Sequence, residues 1–372
     1  MKKTVRVLCL LTFLALFCVG CGKKTKDNKS EITAIPTPVE GKDNKIEENE
    51  EQEKQEVTIP EGKAQSLLTG ELVDEELVNT RPYAIMFNNI KYASPQSGLS
   101  EAAIVYEAIV EGGITRLMGI FEDLYDKEGK LIDRIGSARS ARHYYVSFAD
   151  EYDAIYVHFG ETKYATKKIS DLGIDTLSGL TGIGNTVFYR DKSIKAPHNA
   201  FASGEGILAG TKAKGYRTEY KKDFKGHYKF NLEDTDLDST NKAKKITLGY
   251  SSYTSPYFEY NKKKKEYARY QFGTEHTDYN TKEQLTYKNI IVQFVKEYNI
   301  DKNGYQTMDI ENNSGSGYYI TNGKWVPISW EKNEAKKEMT YYNQAGEELI
   351  LNPGKTFISI FPISRSEQVK FE

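Results

Sequence analysis

One stretch of the chain cannot form a hydrophobic core, and it decides where the folded part begins. Between Gly22 and Gly62 the sequence is made mainly of Lys, Glu, Asp, Asn, Thr and Pro and contains no aromatic residue. Such a segment buries too little apolar surface to offset the conformational entropy that folding costs. We therefore predict a disordered tether, followed from residue 66 by a folded part whose core draws on the chain's 27 tyrosines and 16 phenylalanines.

The first 20 residues have the pattern of a secretory signal peptide. Three basic residues precede an apolar run from Val7 to Val19, and Gly20 stands directly before Cys21. The run is short compared with the roughly 20 residues that span a bilayer, so an uncleaved membrane anchor is the weaker alternative. We predict a signal peptide over 1–20 and lipidation of Cys21, which begins a lipid-anchored tether over 21–65.

Cysteine content and charge exclude several classes of function. Besides Cys21 the chain has only Cys9 and Cys18, which lie in the predicted signal, so we expect no disulfide, zinc or thiol chemistry in the mature protein. The balance of 51 Lys and Arg against 53 Asp and Glu is not that of a nucleic-acid-binding protein. No metal-binding spacing and no phosphate-loop motif occurs, and we predict neither a metal nor a cofactor.

Two regions with different periodicity follow the tether, and their length suits two domains. From 66 to 215 strand and helix signals alternate, which predicts a mixed sheet with covering helices. From 245 to 372 short runs of Tyr, Thr, Ile and Val alternate with turn residues, which predicts a smaller, mainly β domain. The charged, turn-rich residues 216–244 are predicted to be a linker or a peripheral excursion. The predicted fold class is α+β.

The first region contains five strand signals and three helix signals. The strand signals cover 83–88, 104–111, 116–122, 154–159 and 186–190, and the helix signals cover 138–152, 162–172 and 205–214. In a strand, Glu107 and Glu111 would lie about 13 Å apart at 3.3 Å per residue. Because a glycosidase pair needs roughly 5 to 9.5 Å, these two carboxylates are not predicted to act together.

A cationic helix start is the most unusual local feature of the first region. If Ser137 caps the helix, then Arg139, Arg142 and His143 lie in its first two turns, where the helix dipole disfavours positive charge. We therefore expect an anionic partner beside them. It could be a ligand bound by backbone N–H and guanidinium groups together. It could equally be an internal carboxylate, for which the candidates are Glu107, Glu111, Asp150 and Glu151.

Further polar residues fall at strand ends, where α/β sheets place their ligand crevices. Guanidinium groups bind phosphate and carboxylate groups through paired hydrogen bonds, and a loop histidine suits binding or proton transfer. The predicted ligand-binding residues are Arg116, Arg139, Arg142, Arg190, His198 and Asn199. The candidates for acid–base catalysis are Glu111, Asp191 and His198.

Several long strings resemble a known family. In the first region they are RPYAIMFNN, SPQSGLSEAAIVYEAIVEGGITRLMGIF, IGSARSARHYYVSFADEYDAIYVHFGE, FYRD and APHNAF, and in the second they are EYARYQFGTEHTD, NIIVQF, GSGYYITNGKWVPISWEK and LNPGKTFISIFP. They are similar to the N- and C-terminal domains of the YerB-like lipoproteins, known as domain of unknown function 3048. The resemblance implies a secreted, lipid-anchored, two-domain protein and names no reaction. His143 stands where the family tends to have proline, and Ser137 where it often has valine.

The sequence leaves three functions open. The first is a non-catalytic cell-envelope lipoprotein, anchored through Cys21 outside the cytoplasm on the bacterial membrane. Its first domain would bind an anionic wall polymer, peptidoglycan fragment or lipid-linked phosphate, and its β domain would dock an envelope protein. The second is a hydrolase or transferase acting on envelope glycans or phosphodiesters, with Glu111 or Asp191 as the acid–base residue. The third is a structural module whose arginines are all paired internally.

Overall fold

Strands dominate the described part of the chain. The computed structural model describes residues 58–333 and 335–372, so the predicted signal peptide, Cys21 and most of the predicted tether lie outside the described residues. The strands, in chain order, are β1 (Lys63–Gln65), β2 (Leu72–Asp74), β3 (Tyr83–Asn89), β4 (Ile104–Ile109), β5 (Thr115–Phe121), β6 (Ile135–Gly136), β7 (Ile155–His158), β8 (Thr176–Ser178), β9 (Phe188–Arg190), β10 (Ala200–Ala202), β11 (Lys229–Phe230), β12 (Lys245–Leu248), β13 (Tyr257–Asn261), β14 (Glu266–Gln271), β15 (Thr274–Glu275), β16 (Thr286–Tyr287), β17 (Asn289–Asn299), β18 (Gln306–Asp309), β19 (Ser314–Thr321), β20 (Lys324–Asn333), β21 (Glu338–Tyr342), β22 (Ile350–Leu351), β23 (Thr356–Pro362) and β24 (Val369–Phe371). The α-helices are α1 (His143–Glu151), α2 (Lys163–Leu172), α3 (Gly184–Val187) and α4 (Gly204–Lys214). The α+β fold class is confirmed.

The largest sheet runs through both halves of the sequence. Its strand order is β21-β20-β19-β17-β23-β4-β5-β3-β7-β8, and β18 also pairs with β17. The two halves meet where β4 pairs in parallel with β23, with Ile104 opposite Thr356 and Ala108 opposite Ile360. Backbone hydrogen bonds therefore join the first region directly to the second.

A second sheet covers one face of the large sheet. Its strand order is β15-β14-β13-β12-β24, and β16 pairs with β14. Ile246 and Phe258 of this sheet share a hydrophobic cluster with Val105 and Phe357 of the large sheet. This cluster buries the joint between the two halves from one side.

Helix α1 covers the opposite face of the large sheet. Successive residues of β4 point to opposite sides of the sheet, so β4 contributes side chains to the packing on both faces. Tyr145, Phe148 and Tyr152 at the helix pack in a second cluster with Tyr106 and Ile358. The rings of Tyr106 and Phe148 stack with their centroids 4.7 Å apart. The spacing of apolar residues in the sequence predicted this buried helix face.

Most predicted elements of the first region are present. All five strands and two of the three helices lie within two residues of their predicted bounds. The segment 186–190 is divided between the end of α3 and β9. From 245 to 372 the described residues form strands and a 3-10 helix at Ile363–Gln368, in agreement with the predicted β domain.

The segment 216–244 does not behave as a free linker. Its strand β11 pairs in parallel with β22, with Lys229 opposite Ile350. The hydroxyl group of Tyr228 lies 3.3 Å from that of Tyr106 and 3.2 Å from that of Tyr152. The segment is therefore built into the core, and the prediction of a linker is wrong for this part, while the domain boundaries at 215 and 245 stay predictions.

Candidate functional site

The helix predicted from Ala138 begins only at His143, with Arg142 as its N-cap residue. The backbone N–H groups of Ala138 and Arg139 donate to carbonyl groups of neighbouring segments at 2.7 and 3.1 Å. These tertiary hydrogen bonds hold the preceding residues extended. The prediction of an anion site at a helix start near Ser137 is therefore wrong in its geometry.

Arg142 is paired with Glu111. Its Nε donates to Oε1 at 2.9 Å and to Oε2 at 3.0 Å, and its Nη2 also donates to Oε2. Burial alone would raise the pKa of Glu111, but the hydrogen bonds and charge of Arg142 outweigh burial and lower it. The alternative of an internal carboxylate thus holds for this arginine. The geometry does not support Glu111 as a proton donor near neutral pH, because a general acid needs a raised pKa.

Arg116, in contrast, forms no ion pair with a carboxylate of residues 58–333 or 335–372. It lies in β5, and its Nη1 donates to the carbonyl group of Ser140. Burial, followed by the positive charges of Arg142 and Arg139, lowers the pKa of Arg116 to about 9. A lowered pKa marks a guanidinium group whose positive charge is poorly compensated.

Arg139 reaches the loop that carries His198. Its Nη1 donates to the carbonyl group of Pro197 at 3.1 Å, and its Nη2 lies 2.6 Å from Nδ1 of His198. The side-chain nitrogen of Asn88 lies 3.0 Å from the same Nδ1. Since both neighbours donate, Nδ1 accepts and the ring proton lies on Nε2. Burial and the charge of Arg139 lower the pKa of His198, which keeps the ring neutral.

The guanidinium groups of Arg190 and Arg139 contact adjacent residues, Asn199 and His198. Its Nη1 donates to Oδ1 of Asn199 at 2.7 Å, and its guanidinium carbon lies 4.7 Å from the centroid of the Phe159 ring. The backbone N–H of Phe159 donates to the carbonyl group of Arg139 at 3.0 Å, so Phe159 contacts the backbone of Arg139 and the side chain of Arg190. Within the described ranges, no carboxylate pairs with either guanidinium group. We call Arg116, Arg139 and Arg190 the arginine cluster.

The other predicted acid–base residue, Asp191, is paired outside this cluster. Its carboxylate accepts a hydrogen bond from Arg134 at 2.8 Å and two more from the side chain and backbone of Ser193. Hydrogen bonds from Ser193 and Arg134 lower the pKa of Asp191 to about 2. Asp191 is therefore ionised across the physiological range and does not have the pKa of a general acid.

Lys332 and His227, which the sequence did not single out, belong to a different cluster around Glu151. The carboxylate of Glu151 pairs with Lys332, and its other oxygen lies 3.0 Å from Nε2 of His227. Asp150 pairs with Lys337. His227 belongs to no motif and meets Glu151 only because the predicted linker folds onto α1, so no signal in the sequence could have found it. This cluster borders a cleft of about 540 Å³.

Comparison with known proteins places the chain in a family. A profile for the N-terminal domain of the protein of unknown function DUF3048 matches residues 68–217, and a profile for its C-terminal domain matches residues 246–358. The chain belongs to the DUF3048 family. Because Arg116, Arg139 and Arg190 all fall within residues 68–217, the arginine cluster lies inside the N-terminal DUF3048 domain.

Two comparisons within the DUF3048 family extend over most of the chain. "Putative lipoprotein YerB" of Bacillus subtilis (strain 168) is 29% identical over 314 residues, which are 84% of this chain and 90% of that protein. The crystal structure of YerB protein from Bacillus subtilis matches with a TM-score of 0.71 and 29% identity, covering 81% of this chain and 98% of that chain. The likeness therefore includes both DUF3048 domains. These names state neither a ligand nor a reaction.

Two further observations concern the described part of this DUF3048 chain. No helix in it is long and apolar enough to cross a membrane. The same part holds no group of three or more His, Cys, Asp or Glu side chains arranged to coordinate a metal ion.

Proposed function

We propose that this protein is a lipid-anchored protein of the bacterial cell envelope that binds an anionic ligand at the arginine cluster. The observation that carries the proposal is that Arg116, Arg139 and Arg190 form no ion pair among the described residues, although Arg116 and Arg139 are partly buried. Like charges close together repel, and burial strengthens the repulsion by lowering the local dielectric. A bound anion would relieve this repulsion.

The chemistry of the cluster suits phosphate or carboxylate. Each guanidinium group has five N–H donors, and the cluster uses only some of them on carbonyl and amide oxygens. Asn199 holds Arg190, and His198 holds Arg139 through Nδ1. An anionic wall polymer, a peptidoglycan fragment or a lipid-linked phosphate would supply the matching acceptors. Arg142 would act on the ligand only through long-range charge, because Glu111 holds its guanidinium group.

The proposed location rests on the sequence and on the relatives. The apolar run before Cys21 has the pattern of a lipoprotein signal, and the Bacillus relative carries lipoprotein in its name. Replacing Cys21→Ala should move the protein from the membrane fraction to the soluble fraction. Retention of the variant after a high-salt wash would contradict the anchor.

The alternative of an envelope hydrolase or transferase has less support. Glu111 and Asp191 are both ion-paired and have lowered pKa values. His198 is the remaining candidate, and its Nδ1 already accepts two hydrogen bonds. A binding role needs no proton transfer and is favoured for that reason. The same proposal includes an envelope protein that docks on the C-terminal domain.

The test is a binding titration of inorganic phosphate and of a short phosphate-bearing polymer to the full-length chain. Arg139→Gln should weaken binding by about tenfold, because one lost charge-assisted contact corresponds to about 1.4 kcal/mol. Arg217→Gln is the matched control, since Arg217 is a more exposed arginine that pairs with Asp153 at 2.8 Å. Equal affinities of wild type and Arg139→Gln would contradict the proposed site.

A further inference from the structure

Two exposed tyrosines follow on from the arginine cluster: Tyr92 contacts His198, and Tyr253 bonds to Lys91, the residue before Tyr92. Tyr92 is 58% exposed and Tyr253 is 45% exposed, although tyrosine rings carry a large apolar surface that water solvates poorly. The ring of Tyr92 lies 5.3 Å from that of His198 at an angle of 61°. Since His198 in turn accepts a hydrogen bond from Arg139, Tyr92 is continuous with the cluster.

Both rings are held in place at their hydroxyl groups. The hydroxyl oxygen of Tyr92 accepts from the backbone N–H of Lys195 at 3.3 Å, and that of Tyr253 accepts from the backbone N–H of Lys91 at 3.0 Å. The ring of Tyr253 also packs 5.5 Å from that of Phe272. A ring that is already ordered loses little side-chain entropy when a ligand packs on it. The two tyrosines are therefore pre-organised to contact a ligand.

Exposed aromatic faces next to unpaired cations fit one class of ligand particularly well. Inorganic phosphate needs only the guanidinium groups and would leave the tyrosines unused. A sugar ring presents a face of C–H groups, which packs on the electron-rich face of an aromatic ring, and its substituents can carry the negative charge. A polymer of such rings would contact the tyrosines and the arginines at once.

We propose that the ligand of the arginine cluster is an anionic glycan, whose sugar rings pack on Tyr92 and Tyr253 while its phosphate or carboxylate groups bind the arginines. This inference rests on the proposed function and adds the class of ligand to it. The two tyrosines would supply specificity for the sugar, because an anion without rings gains nothing from them. The arginines would supply most of the affinity.

The test compares five probes on the full-length chain by calorimetric titration. They are a phosphorylated glucose oligosaccharide, a uronic-acid oligosaccharide, inorganic polyphosphate, poly-glutamate and the neutral glucose oligosaccharide. Tyr92→Ala and Tyr253→Ala should each weaken binding of the tighter charged oligosaccharide by about five- to tenfold, the usual effect of removing one stacking ring. Polyphosphate binding should stay within about twofold of wild type. Tyr298→Ala is the matched control, because Tyr298 is also 45% exposed and lies in β17.

Several outcomes separate this inference from the proposed function. If Arg139→Gln weakens every charged probe while the tyrosine variants bind the oligosaccharides like wild type, the anion site stands and the glycan is wrong. If Arg139→Gln changes nothing, the proposed function itself is wrong. If poly-glutamate binds as tightly as the oligosaccharides and loses affinity equally on Tyr92→Ala, the surface recognises an acidic protein segment, and the glycan is again overturned. Equal melting temperatures of wild type and tyrosine variants show that the variants fold.

Discussion

The arginine cluster and the site around Glu107 use the same residue type in opposite ways. Glu107 is fully buried and accepts hydrogen bonds from Asn89 at 2.9 Å, Thr115 at 2.6 Å and Arg269 at 2.7 Å. Arg269, also fully buried, therefore has its charge compensated. In the arginine cluster no described carboxylate plays this part. Compensated charge indicates a structural role, and uncompensated charge beside the surface indicates a ligand.

The position of the Glu107–Arg269 pair explains why both of its charges are buried and compensate each other. Glu107 lies in β4 of the first region, and Arg269 lies in β14 of the second sheet. The pair thus fastens the second sheet onto the joint between β4 and β23. The arginine cluster, in contrast, contains residues of the first region only.

The largest effect is expected when the first region of the chain is separated from the second. Residues 56–244 expressed alone should fail to unfold cooperatively, because β4 loses β23 and Glu107 loses Arg269. Circular dichroism melts of this fragment and of the full-length chain provide the measurement. A sharp transition of the fragment close to that of the full-length chain would show that the joint is dispensable.

Single substitutions at the buried pair should have the next largest effect. Glu107→Gln leaves Arg269 buried without an anion, and it should lower the free energy of unfolding by about 3–5 kcal/mol. The matched change in the cluster, Arg139→Gln, should lower it by only about 1 kcal/mol, since it removes hydrogen bonds to Pro197 and His198 but no ion pair. Urea denaturation gives both values. Similar losses in the two variants would remove the distinction between the two sites.

The sequence predicted much of the secondary structure behind this contrast. It could not predict the contacts between residues that are far apart in the chain. Periodicity located β3, β5 and α2 because neighbouring residues determine it. It could not locate the pairing of Glu107 with Arg269, which joins positions far apart in the chain. The helix start was misplaced because Ala138 and Arg139 bond to neighbouring segments and not along a helix. Among the described residues, Arg142 is the only one of the four predicted arginines that pairs with a carboxylate, and the spacing in the sequence did not show which arginine would do so.

Arg142 tests the boundary between the two classes, since it lies beside the cluster but is paired. Arg142→Gln should destabilise the protein by about 1–3 kcal/mol, because the partly exposed Glu111 can recover some solvation. A double-mutant cycle with Glu111→Gln measures the coupling between the two side chains. A coupling energy indistinguishable from zero would mean that Glu111 does not effectively pair with Arg142, and Arg142 would then belong to the arginine cluster.

The smallest expected effect is the pH dependence of this last pair. The pKa of Glu111 in the folded protein is lower than that of a free glutamate, so its contribution to stability is present above the free pKa and is lost as pH falls through the folded pKa. Other carboxylates shift in both directions, and the pKa of Asp150, for example, is raised by burial. The informative quantity is therefore the difference between wild type and Glu111→Gln, measured by urea denaturation from pH 7 to pH 3. The stability advantage of wild type should be constant near neutral pH and should shrink below about pH 4.5, where the free carboxyl group protonates. A difference that stays constant over this range would mean that Glu111 titrates normally, and its pairing with Arg142 would then be too weak to set Arg142 apart from the arginine cluster.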